Sequence, residues 1–71
     1  MDPYTVLANQ IVLQAVKDYR TALRQLARTP RYKDSIQVKE ECESFFLSEW
    51  FCYLTRVDGP TLMHQLRKEV V

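Results

Sequence analysis

The stretch "ESFFLSEWFCYLTRVDGP", Glu43 to Pro60, holds five of the chain's eight aromatic residues within nine positions: Phe45, Phe46, Trp50, Phe51 and Tyr53. Up to Arg56 it contains neither Gly nor Pro, so it reads as helix. At about 100° per residue, the apolar side chains of a helix over 35–56 spread across roughly 240°, where a surface helix needs a stripe of only ~100°. One neighbouring helix does not cover so wide an arc. Phe45, Phe46 and Tyr53 are expected to line a core, while Leu47, Trp50 and Phe51 curve away from it. The protein interface expected from this wheel is Phe46, Leu47, Trp50 and Phe51.

Downstream, "VDGP" ends the helix. Asp58 or Gly59 caps and Pro60 opens a short third helix whose apolar side is Leu62, Met63, Leu66 and Val70. Upstream, "TPRYKDS" (Thr29 to Ser35) is the one real loop. Pro30 stops the preceding helix and pushes Thr29 toward extended backbone. Asp34 then offers an N-cap, with Gln37 three residues on to complete a capping box. The first helix starts at Asp2 and Pro3, an N-cap and a first-turn proline. Val12, Val16, Tyr19, Leu23 and Leu26 step along it by four, three, four and three, and Ala8, Ala15 and Ala22 widen the stripe. The predicted fold is all-α. A long antiparallel helical hairpin carries a short third C-terminal helix across one end (about 3–28, 35–56 and 60–70), as one small helical domain over 1–71.

A chain of 71 residues buries only ~60% of the surface its unfolded form exposes. Small domains offset that deficit with disulfides, a metal, very regular packing or association. Cys42 and Cys52 are the only cysteines. On one continuous helix their sulfurs lie ~15 Å apart, well beyond disulfide reach, and both are expected to be reduced. No apolar run approaches the ~20 residues that cross a membrane. Asp2 and Pro3 stand where a signal peptide would be basic. The expectation is a soluble, cytoplasmic protein, and self-association is the expected remedy for the small core.

The net charge is +1, which indicates neither a general polyanion binder nor an acidic tail. Lys17, Arg20, Arg24 and Arg28 nevertheless cluster on the first helix, continued by Arg31 and Lys33, while Glu40, Glu41, Glu43 and Glu49 populate the second. Such faces either meet across the hairpin or stay solvated. The sharper alternative is nucleic-acid contact through Lys17, Arg20, Arg24 and Arg28. A helix-turn-helix reading of the last two helices, with Thr61, His64, Gln65, Arg67 and Lys68 at base edges, requires a much shorter first element.

Catalytic signatures are sparse. His64 is the only histidine and has no carboxylate four residues away on either side. Glu43 and Glu49 are six apart and diverge on a helix. Two cysteines and one histidine on separate elements fall short of a four-ligand metal site. No Gly-rich phosphate loop is present. The expectation is a non-enzymatic protein without metal or other cofactor.

The segments "QAVKDYRTALR" (Gln14 to Arg24) and "ECESFFLSEWFCYLTRVDGPTLMHQLRKE" (Glu41 to Glu69) resemble short helical accessory proteins of Firmicutes prophages and integrative conjugative elements. The resemblance covers most of the chain and is carried by aromatics and charges, without a catalytic signature. This chain departs from the pattern at Leu47, where Arg is usual, and at Pro60, where an acid is usual. The resemblance implies that position 47 faces solvent, and it carries over no functional residues. It implies a mobile-element accessory or regulatory factor that works by binding, including inhibition of a host defence protein in the manner of an anti-CRISPR. The expected partners are a second copy of the chain, as a dimer by the small-core argument, and/or a host or mobile-element protein; nucleic acid is the alternative, and no membrane is expected.

Overall fold

The structure, a computed structural model, describes residues 3–70, with the side chain of Val70 outside the described set. The Asp2 N-cap and the place of the Val70 side chain therefore lie outside the described residues. The fold is all-α: α1 (Pro3–Arg28), α2 (Lys33–Phe46), α3 (Glu49–Leu54) and α4 (Gly59–Val70). At ~1.5 Å per residue, the 26 residues of α1 account for the 40 Å long axis of the molecule. The antiparallel hairpin of α1 with α2, and the short C-terminal helix after Asp58, follow the sequence expectation.

The second helix does not run to Arg56. It ends at Phe46, and the chain turns at Leu47 and Ser48 before the six-residue α3. Ser48 has extended backbone (φ −78°, ψ 156°). Its hydroxyl donates to the Phe45 carbonyl at 2.6 Å and accepts from the Phe51 amide at 3.2 Å, which makes it the N-cap of α3. The physical reason lies five residues apart. On one continuous helix Phe46 and Phe51 would point roughly 140° away from each other. With the break, both rings enter the core at 1% exposure and meet edge to face at 5.5 Å.

Several sequence expectations change with that turn. Phe46, expected both to line the core and to serve an interface, and Phe51, expected at the interface, are interior, and Tyr53, expected in the core, is 85% exposed. The α2 N-cap is Tyr32, without a side-chain cap, and Asp34 falls inside the first turn. Gln37 donates instead to Glu41. Cys42 and Cys52 are both free thiols, the first buried and the second exposed.

The core is Val16, Tyr19 and Leu23 of α1, Cys42 and Phe46 of α2, Phe51 of α3, and Met63 and Leu66 of α4. The expected cap at Asp58 is present: its Oδ2 accepts from the Thr61 amide at 3.0 Å and from the Thr61 hydroxyl at 2.6 Å. These bonds hold its carboxyl below the usual value. The last helix does not fold across one end of the hairpin. It starts against Phe46 and reaches Tyr19 and Arg20 with Arg67 and Glu69, so it lies along the hairpin.

Its start is tight. Gly59 is buried, and a Cβ there would collide with the Phe46 carbonyl, which is backbone and does not give way. Gly59→Ala is expected to cost about 3 kcal/mol through overpacking, read as a lowered urea midpoint. A midpoint unchanged from the parent would show that α4 seats differently.

Candidate functional site: an acid-rimmed apolar groove

With α4 along one side, the opposite side of the hairpin stays open. The N-terminal half of α1 has no fully buried residue before Val16. Leu7 and Ile11, four apart, share a face with Ala15. Across from them stand Cys42 and Phe45 of α2 and Trp50 of α3, and together they line a groove of about 500 Å³. A second hollow of about 410 Å³ continues it toward the hairpin loop over Ala22, Ser35 and Val38, the two sharing Asp18, Glu41 and Cys42. Trp50 is 58% exposed, and its ring stands edge to face against Phe45 at 5.9 Å.

The groove carries a one-sided charge. Asp18, Glu41 and Asp34 line it, and no Lys or Arg does. Asp18 accepts from Gln14 and Glu41 from Gln37, each one helical turn away. Among the described residues, neither these two nor Asp34 has a salt bridge. Among the described residues, no three side chains are gathered as metal ligands. The acids thus form a rim rather than a cation site. At the floor, burial pushes the Cys42 thiol above its usual range, and the charges of Asp18, Glu41 and Glu43 push it further. Both effects disfavour its thiolate.

The closed side is organised differently. The Tyr19 hydroxyl, at the centre of the core, donates to Glu43 Oε2 at 2.7 Å and accepts from Arg67 Nε at 3.0 Å. Arg67 Nη2 donates to the same Glu43 oxygen at 2.7 Å, and Lys39 Nζ lies 3.4 Å from it. This node joins α1, α2 and α4. Burial would raise the Glu43 pKa, but hydrogen bonds from Tyr19 and Arg67 and the Lys39 charge outweigh it, so the carboxyl sits below its usual value. Burial, with Glu43 next to it, raises the Tyr19 pKa. The Arg67 pKa is raised too, chiefly by its hydrogen bond to Glu43.

The residues singled out from sequence are therefore dispersed. Trp50 borders the groove. Leu47, 62% exposed, borders a separate cleft with Cys52, Val57 and Pro60 at the α3–α4 turn. Arg20 pairs with Glu69 at 2.9 Å, and Arg67, placed at base edges in the helix-turn-helix reading, is held by Glu43 and Tyr19. Lys17, Arg24 and Arg28 have no salt bridge among the described residues. Sequence reasoning missed Leu7, Ile11, Asp18 and Asp34. The signal was present in α1, where Leu7, Ile11, Ala15 and Asp18 form a second stripe beside the core stripe. No family model matches the chain, and no curated protein or solved structure is similar to it.

The Glu43 node makes stability pH-dependent. Because the folded pKa is lowered, its contribution is complete above about pH 4.3, the usual Glu value, and is lost as pH falls through the lower folded value. Glu43→Gln should destabilise the chain at neutral pH, and the gap between parent and variant should narrow on acidification. A gap of constant size in urea titrations from neutral to acid pH would remove the node from this role.

Proposed function

We propose that this chain is a non-enzymatic protein-binding module whose working surface is the apolar groove between α1, α2 and α3. One observation carries the reading: a groove floored by Ile11 and Phe45 and edged by Leu7 and Trp50 stays open in a chain with little core to spare. Total area supports it. The 8.4 kDa chain exposes 5577 Å², whereas a folded monomer of this mass exposes roughly 4,600 Å². The difference, on the order of 1,000 Å², goes with the elongated 40 × 20 × 19 Å shape as well as with the open groove. Contiguous exposed apolar surface on small proteins commonly marks an interface, and Trp is a frequent anchor of binding energy. The raised Cys42 pKa supports a role without covalent chemistry. The resemblance stated above suggests the setting, an accessory or regulatory factor of a bacterial mobile element.

Trp50 is the only tryptophan and reports directly on the groove. In the free chain iodide should quench it readily, and occupation should shift its emission to the blue. Leu7→Glu should change stability by no more than about 0.5 kcal/mol while abolishing retention of proteins from a bacterial lysate on the immobilised chain. Retention that survives Leu7→Glu would remove the groove as the working surface.

A second reading, nucleic-acid binding, has one observation in its favour. Lys17, Arg24 and Arg28 fall within an arc of roughly 40° on α1, facing away from the core and without ion pairs among the described residues. Phosphate contact strengthens as salt is lowered. An electrophoretic shift of duplex DNA at low salt, lost when all three are changed to Glu, supports it; no retarded complex at low salt removes it.

A further inference from the structure

We infer that the occupant of the groove is an amphipathic helix of another protein, with an apolar face and Lys or Arg beside it. The inference rests on the protein-binding reading and adds the chemistry of the partner. Along the groove side of α2 the order is Asp34, Val38, Glu41, Phe45, acid and apolar alternating at steps of four and three. Along α1 it is Leu7, Ile11, Ala15, Asp18. The Trp50 end is therefore apolar on both helices, while Asp18, Glu41 and Asp34 edge the half toward the hairpin loop, where Ala22 and Val38 continue the apolar floor. A helix lying between α1 and α2 meets apolar surface at one end and carboxylates on both walls at the other. The groove side of α2 from Asp34 to Phe45 is roughly 17 Å long, enough for about three helical turns.

The molecule contains one worked case of this arrangement. On the closed side, α4 lays Met63 and Leu66 into the core and sends Arg67 to Glu43. The open side repeats the apolar floor and the acids and lacks the cation. A second copy does not supply it through a two-fold contact. Such a contact sets the face against itself, and the groove is lined by three acids and no base. A copy docking by the Lys17, Arg24 and Arg28 side of α1 would bring cations, but that contact is head-to-tail and builds rings or open polymers rather than a two-fold dimer. With a net charge of +1, the chain as a whole does not attract a basic helix. Any preference for one is local to the rim.

The test uses the full chain and two designed tryptophan-free helical peptides with the same leucine face, one flanked by Lys and one by Glu. The Lys peptide is expected to shift Trp50 emission to the blue with saturation at one peptide per chain. The Glu peptide is expected to bind at least about tenfold more weakly, and the difference should shrink as salt rises. The variant Asp18→Lys, Glu41→Lys should invert the order. Asp18→Asn, Glu41→Gln, which adds no charge, should abolish the preference if the double lysine variant folds poorly. Equal binding of the two peptides, a preference for the Glu peptide, or no binding of either overturns the inference. So does sedimentation in which the free chain dimerises or polymerises with Trp50 shielded. Loss of lysate retention in Leu7→Glu alongside equal peptide binding would overturn only the basic character of the partner and leave the protein-binding reading standing.

Discussion

The Ser48 hydroxyl donates to the Phe45 carbonyl and accepts from the Phe51 amide, and the direction of the chain after residue 47 follows from those two bonds. Without the turn, Phe46 and Phe51 cannot both enter one core. With it, Phe45, Phe46 and Phe51 form a cluster of rings 5.5 to 5.8 Å apart, and Tyr19 closes on Phe46 at 5.5 Å. Each edge-to-face pair adds about 0.5–1.5 kcal/mol beyond area burial. A chain with few buried side chains depends heavily on that cluster. The same turn points Trp50 to the open side, five residues after the Phe45 ring it packs against. Core and groove are two products of one local event.

The second constraint is the seat of α4. Gly59 allows its first turn to touch the Phe46 backbone, Asp58 fixes the turn, and Arg67 closes on Glu43 and Tyr19 near its far end. The two anchors, Gly59 and Arg67, lie eight residues apart, about two helical turns, so α4 is held along the hairpin and kept on one side of it. Tyr19 is fully buried, and its hydroxyl would be costly there without partners. Glu43 and Arg67 satisfy it from two different helices, which makes the polar centre of the core specific for this placement of α4. The open groove is therefore a consequence of where α4 is fixed.

The limits of α1, the hairpin loop at Pro30 and the start of the last helix near Asp58 were legible because each rests on a local signal: periodicity, a proline or a cap. The break at Leu47 and Ser48 was not, since no Gly or Pro marks it. Ser48 followed by Glu49 is itself an N-cap with an acid in the first turn. An uninterrupted aromatic run outweighed that signal, and a continuous wheel placed Phe51 on a surface and Tyr53 in the core. The core positions Val16, Tyr19 and Leu23 were legible from their spacing. The groove was only half legible. Its width on the aromatic side was implied by an arc too broad for one neighbour, but its second wall on α1 depends on which side α4 takes, and that is settled by contacts 24 to 49 residues apart in sequence. Spacing along one helix carries no such information.

The pairing of the acids separates the side of the hairpin that α4 covers from the side that carries the groove. Glu43 and Glu69 face α4 contacts and meet Arg67 and Arg20. Asp18, Asp34 and Glu41 face the groove, and no base among the described residues meets them. If charge placement served only the free chain, Lys17, Arg24 and Arg28 of α1, without a salt bridge among the described residues, would gain from facing those acids. They lie roughly 80–120° around the helix from Asp18 instead. Solvated carboxylates cost little in isolation, because exposed ion pairs are worth only ~0–1 kcal/mol. Beside an apolar groove, however, they discriminate among occupants: a partner that brings no cation must strip their water and leave the charge unmatched. Such an arrangement adds little to the stability of the free chain, and under the proposed reading it selects what can settle against Trp50.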